Sequence, residues 1–274
     1  MSKTIVFVHG AWMTPLSWEK FRGFFAERGY ECLAPTWPHK DKPIDELRRN
    51  PPAELAGLGV TEIVDHYARI IQTLPESPIL IGHSFGGLFV QMLLDRGLGA
   101  AGVAIDSAPP KGVLPLEWSA LKSNTGVFLT WGAWNKVVTM SLDEFKYAFV
   151  NTLPEAEQRA AYERHVVPET GRVFFQAGLA LLDPHSAVEV DFKNNKRPPL
   201  LLISGADDHI VPAKMVRSNY DKYQESSAST DFKEFPGRTH WIIAQPGWEE
   251  VAGYIAEWLR ERNLSAAAPA ANSA

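Results

Sequence analysis

The stretch PILIGHSFGGLFVQ, Pro78 to Gln91, constrains the fold more than any other part of the chain. Its first apolar run, Ile79 to Ile81, is short and reads as a buried strand. The second, carrying Leu88, Val90, Met92, Leu93 and Leu94, continues without a breaker to Arg96 and suits a helix surrounded by protein. Ser84 stands at the junction, with Gly82 two residues before it and Gly86 two after. A strand that turns directly into a helix brings its backbone close to its neighbours, so those two positions must be small, and Gly87 adds room. Gly82-His83-Ser84-Phe85-Gly86 is the GxSxG pattern of a nucleophile elbow, which holds its serine at a strained apex with the hydroxyl presented at the C-terminal edge of a sheet. The helix N-terminus that follows has unpaired N–H groups and positive dipole character, so the Phe85 amide can stabilise an oxyanion on an attacked carbonyl.

The rest of the chain supplies the sheet such an elbow needs. Thr4 to Val8 reads as a buried strand ending in His9-Gly10, followed by a helix around Trp18 to Arg28 and a strand near Glu31 to Pro35. A Pro-rich, charged surface excursion is expected over Pro38 to Pro52. Apolar positions from Ile63 to Leu74 recur at helical spacing, with Thr61 as the N-cap, and Gly102 to Asp106 gives a further buried strand. This alternation predicts an α/β fold, a mostly parallel sheet flanked by helices on both faces. From about Pro109 to Pro198 the pattern turns helical and aromatic with no convincing strand, which predicts a helical cap inserted over 109–197. Strand character resumes at Leu200 to Ser204 and in TDFKEF, with a helix from Val211 between them and an amphipathic helix at Trp248 to Arg262. The core is thus expected over 1–108 and 198–264. Residues 265–274, small and with nothing to bury, are expected to be disordered.

Composition removes several functional classes. With 274 residues, 45% apolar and 22% charged, the chain can bury a sizeable core. A formal charge of −5 without a long basic block leaves no footprint for nucleic acid. No run approaches the roughly 18 apolar residues of a membrane span, and the single Cys32 cannot form an internal disulfide. MSKTIVFVHG is too short and strand-like for a secretory signal, so a cytoplasmic protein is expected.

A serine nucleophile needs a base and a group to orient that base. Among eight histidines, His240 follows the last strand-like segment and precedes the last helix, which places it at the same sheet edge as Ser84. His39, His66, His165 and His185 fall in the excursion, a helix or the cap. His83 lies inside the elbow and cannot easily turn back on Ser84. For the acid, Asp207 and Asp208 both sit just past the Leu200 to Ser204 strand.

Ser84, an Asp near 208 and His240, in that order, resemble the α/β-hydrolase superfamily over nearly the whole chain, from FVHGAW to GWEEVAGYIAEWL. The resemblance implies that His9-Gly10-Ala11 is the loop whose last amide, that of Ala11, is the second oxyanion donor beside Phe85. It favours Asp208, because Asp208-His209-Ile210-Val211-Pro212 fits the acid motif. It implies a cofactor-independent serine hydrolase acting on small carboxylic esters, with Ser84, His240 and Asp208 as catalytic residues, and the aromatic cap predicts an apolar acyl or aryl part in the substrate. Trp12, Trp131, Trp134 and Trp241 are candidates for the substrate pocket. The same fold also carries hydroxynitrile-lyase-like and perhydrolase or haloperoxidase-like enzymes. Those lyases usually have threonine where Gly10 stands and a lysine near the histidine. A non-catalytic ligand-binding module is the reading from another class. No metal-ligand spacing occurs, and Gly97-Leu98-Gly99-Ala100-Ala101-Gly102, which satisfies GxGxxG, follows a helix and precedes a strand, the reverse of a dinucleotide site.

Overall fold

Aliphatic runs five or six residues long form the central strands, and amphipathic segments between them form the covering helices. The computed structural model describes residues 3–114 and 117–266. In chain order, β1 (Thr4–Val8), α1 (Glu19–Ala26), β2 (Glu31–Leu33), α2 (Ile44–Arg49), α3 (Val60–Gln72), β3 (Ile79–His83), α4 (Phe85–Asp95) and β4 (Ala101–Ile105) make the first half of the sheet and its helices. The connecting segment holds α5 (Trp118–Ser123), α6 (Thr125–Leu129), β5 (Val137–Val138), α7 (Leu142–Ala148), α8 (Glu155–His165), β6 (Glu169–Thr170) and α9 (Arg172–Gly178). β7 (Leu200–Gly205), α10 (Ala213–Lys222), β8 (Thr230–Phe235) and α11 (Trp248–Glu261) complete the sheet.

The six-stranded sheet has the order β2-β1-β3-β4-β7-β8, and every neighbouring pair is parallel. From β1 the chain leaves toward β2 on one side, and from β3 it leaves toward β4 on the other. The direction of winding therefore reverses between β1 and β3, where Val8 pairs with Gly82. Loops leaving the C-terminal ends of two such strands diverge, and the crevice between them is where open α/β sheets bind ligands.

Alternating side chains bury both faces of the sheet. Ile5, Phe7, Ile81, Val103 and Ile203 pack on one side under Phe21 and Phe25 of α1 and Val251, Ile255 and Trp258 of α11. Val6, Val8, Leu80, Ala104 and Leu202 pack on the other, in a cluster that includes α3, α4 and α10 and continues into Phe145, Phe149, Val173 and Phe174 of the connecting segment.

Several expectations shift in detail. The excursion carries the short helix α2, and β2 ends at Leu33. α3 begins at Val60 with Gly59, not Thr61, at its N-cap: the Gly59 amide donates to the Glu62 carboxylate (2.6 Å) and the Val60 amide to the Gln176 side chain (2.9 Å). The connecting segment, read as strandless, contains the antiparallel pair β5–β6, with Val137 opposite Thr170 and Val138 opposite Glu169; two residues per strand are too few to leave a period-2 signal. Of the expected disordered tail, 265–274, Ala266 packs against the α1–α11 cluster, and 267–274 lie outside the described residues. No helix among the described residues is long and apolar enough to cross a membrane.

Candidate active site

Ser84 occupies the single residue between β3 and α4 with φ 58° and ψ −124°, a left-handed backbone that an L-residue holds only when its surroundings over-determine it. Those surroundings are identifiable. The Ser84 amide donates to the Ile105 carbonyl (3.0 Å) and its carbonyl accepts from the Ala108 amide (3.0 Å), so the turn is bolted to the end of β4. A Cβ on Gly82 would collide with the Gly86 carbonyl, and one on Gly86 with the Val8 carbonyl. The elbow is thus closed at the backbone level, and only glycine fits at the two flanking positions.

The His240 Nδ1–H donates to Asp208 Oδ2 at 2.6 Å, with both side chains wholly buried. Asp208 Oδ1 accepts from the Ile210 (2.7 Å) and Val211 (2.9 Å) amides, which fix the carboxylate at the end of β7. Asp207 is exposed instead. With Nδ1 carrying the proton, Nε2 keeps its lone pair, and this buried atom has no hydrogen-bond partner among the described residues. His83, the residue before Ser84, sets its ring 4.6 Å from the His240 ring and donates from Nε2 to the His240 carbonyl at 2.8 Å. The elbow and the His240 loop are thereby joined. Burial, with His240 alongside, holds His83 well below the usual imidazole range, so it remains a neutral support.

The loop after β1 is ordered by its own histidine. His9 Nε2 accepts from the Trp37 amide (3.2 Å), so Nδ1 carries the proton and donates to the Gly10 carbonyl (2.8 Å). The Ala11 and Phe85 amides have no hydrogen-bond partner among the described residues, and both residues line a cavity of about 100 Å³ together with Ser84. Trp12, Phe128, Phe174, Ile210, Val211 and Met215 contribute to its walls, and among the described residues Ser84 supplies the one hydroxyl and Asn124 the one carboxamide there. Of the four tryptophans proposed from sequence, Trp12 alone lines this cavity. Trp131 is 84% exposed, and Trp134 borders a separate surface groove with Arg172 and Asp183. Trp241 is buried against Phe145 and His165.

Residues 5–252 match the model of the alpha/beta hydrolase family. The chain belongs to that family. Similar solved structures include a monoacylglycerol lipase from Paleococcus ferrophilus, 23% identical, with 94% of each chain covered and a TM-score of 0.65. An extracellular alpha/beta-hydrolase from a Paenibacillus species is 19% identical over 93% of this chain and 98% of that one, TM-score 0.65. A thermophilic esterase from Thermogutta terrifontis is 18% identical over 95% and 90%, TM-score 0.65. At these identities the likeness is one of fold.

This alpha/beta hydrolase also brings together residues that no spacing in its sequence signalled. Asp106, at the end of β4 with φ 43°, accepts from the Gly205 amide at 2.7 Å. Ligand-capable atoms of His83, Asp106 and His240 lie within 4.8 Å of one another. Burial, reinforced by the negative charge of Asp208, pushes the Asp106 carboxyl well above the usual carboxylate range. Lys40 and Glu169, 129 residues apart, form a fully buried ion pair at 2.5 Å. Glu169 Oε2 also accepts from the Trp12 amide at 3.1 Å.

Proposed function

We propose that this protein is a serine hydrolase that cleaves carboxylic esters through an acyl-enzyme. Ser84 Oγ attacks the ester carbonyl carbon as its proton passes to His240 Nε2, and the carbonyl electron pair moves onto oxygen. The Ala11 and Phe85 amides receive that oxyanion, and Asp208 holds the imidazole tautomer and offsets the imidazolium charge. Collapse breaks the bond to the alkoxide, which takes the proton from His240. Water, activated by the same nitrogen, then releases the acid and restores Ser84.

The observation that carries this reading is Ser84 in the wall of an apolar cavity with Ala11 and Phe85, whose amides have no partner among the described residues, at the sheet edge where the His240–Asp208 pair also lies. Gly10 favours ester cleavage over the lyase-like alternative, because a Cβ there would stand 2.7 Å from Ser84 Cβ, leaving no room for threonine on this backbone. In this reading residues 109–197 act as a cap that selects the acyl part. A cavity of about 100 Å³ is smaller than the roughly 150 Å³ that accepts benzene, which supports short acyl groups.

A series of p-nitrophenyl esters from acetyl to decanoyl tests this. Stopped-flow traces of the short esters are expected to give a burst of nitrophenolate equal to the enzyme concentration, absent in Ser84→Ala. Hydrolysis that survives in Ser84→Ala, or no turnover of any ester in the series, would refute the reading.

A further inference from the structure

We propose that the buried Lys40–Glu169 pair positions the oxyanion loop, so that the segment between β4 and β7 sets the aim of the Ala11 amide. This rests on the assignment of Ala11 as an oxyanion donor. Two peptide planes flank the Ala11 Cα. The first carries the Gly10 carbonyl and the Ala11 N–H, and it is oriented by the His9 Nδ1–H bond to Gly10 O. The second carries the Trp12 N–H, which Glu169 Oε2 holds at 3.1 Å. Trp12 has φ 59°, a left-handed conformation that a tryptophan keeps only under restraint. Its carbonyl is restrained from the same segment, accepting from the Val167 amide at 2.9 Å.

Lys40 links the two restraints. Its Nζ meets Glu169 Oε2, and its amide donates to the Trp37 carbonyl at 3.2 Å. Trp37 in turn stacks on His9 and donates to it from both its amide and its indole nitrogen. One short loop, residues 36–40, thus braces the first peptide plane through His9 and the second through Glu169. A buried carboxylate without a cation would be costly, and Lys40 supplies that cation. Glu169 Oε1 accepts from the Thr170 amide at 2.9 Å, leaving little freedom for the carboxylate to rotate away from Trp12.

Two double variants separate aiming from mere stability. Lys40→Met with Glu169→Gln removes both charges and keeps an amide oxygen able to accept from Trp12. Lys40→Met with Glu169→Leu removes both charges and the acceptor. At a temperature where near-UV circular dichroism reports both folded, the leucine pair is expected to lose about 10- to 100-fold in kcat relative to the glutamine pair, with KM within about threefold. The inhibition constant of ethylboronic acid, whose tetrahedral adduct places an oxygen in the oxyanion site, should weaken by the same factor. Equal kcat in the two variants, or a leucine pair that does not fold, overturns the proposal and leaves the pair a structural role only. Turnover that persists in Ser84→Ala defeats the nucleophile assignment instead, whereas a dead Ser84→Ala beside equal double variants defeats only the positioning role.

Discussion

The sheet with its elbow and the segment between β4 and β7 treat apolar surface in opposite ways. Along β1, β3, β4 and β7 large side chains are buried to the last few per cent, and the elbow is packed so closely that a methyl group cannot be added at Gly82 or Gly86. Among the described residues, every exposed large hydrophobic side chain lies between Leu114 and Leu182, with Trp118, Leu129, Trp131 and Leu182 each more than three-quarters exposed. The parts proposed to do chemistry need positions fixed to a fraction of an ångström, and close packing provides that. The parts proposed to choose the acyl group face the cavity with Phe128, Phe174 and Leu121, side chains whose replacement changes shape more than geometry. Rigidity and selectivity are thus assigned to different stretches of one chain, and Glu169 is where the second touches the first.

The largest effect is expected at the elbow itself. Ser84→Ala removes one oxygen from the cavity wall, so kcat should fall by about 10⁴-fold or more while the unfolding free energy stays within about 1 kcal/mol; steady-state kinetics and urea melts measure the two separately. Acid stability comes next. His9 and His83 in the sheet half, and His165 at the end of α8, are each held below 6.5 chiefly by burial, His165 down to about 4. They are neutral in the fold and take up protons on unfolding, so their contribution is complete above pH 6.5 and declines as pH falls. Each approaches about 1.4 kcal/mol per pH unit on the way down. His165 stops contributing to the slope near pH 4, where it protonates in the fold, and the other two continue. Urea titrations of His165→Phe should therefore show a shallower acid slope between pH 6 and 4; an unchanged slope would place the load elsewhere.

Glycine substitutions sharpen the same contrast. Gly86→Ala should destabilise by about 3 kcal/mol or more, because the added methyl meets the Val8 carbonyl. Gly253→Ala, in α11 with nothing within 4 Å of its Cβ, should stabilise by about 0.5–1 kcal/mol. The smallest effect is expected in the connecting segment: Phe128→Ala should leave stability within about 1 kcal/mol and raise kcat/KM for hexanoyl relative to acetyl esters severalfold, read from the p-nitrophenyl series. An unchanged preference would remove Phe128 from the selecting wall.

Legibility in the sequence followed the range of the interactions. The elbow was readable because strand, glycines, serine and helix fall within fourteen residues and their reason is local backbone contact. The alternation that predicts a parallel sheet is equally local: β1, β3, β4 and β7 lie where the apolar runs are, and β8 lies on the alternating segment TDFKEF. The residues alone narrowed the acid to Asp207 or Asp208 and the resemblance favoured Asp208; the hydrogen bonds from Ile210 and Val211 that hold its carboxylate belong to a turn that no hydrophobic periodicity encodes. Aromatic residues of the connecting segment carried no directional signal, because several sit in helices of five to seven residues, too short to define a face, and Trp131 and Trp134 sit in the turns between α6 and β5. Hence Trp131 and Trp134 were proposed for a wall that Phe128 and Phe174 form. Lys40, Asp106 and Glu169 were invisible for a simpler reason: each gains its meaning from a partner about 100 or more residues away.

The central claim is that Ser84 is a nucleophile activated by His240. Incubation with a fluorophosphonate, followed by intact mass measurement and peptide mapping, tests it most directly. One adduct per chain on Ser84 is expected, absent in Ser84→Ala and formed at least about 100-fold more slowly in His240→Ala. No adduct on the native protein, or labelling of Ser84→Ala at the native rate, would contradict it.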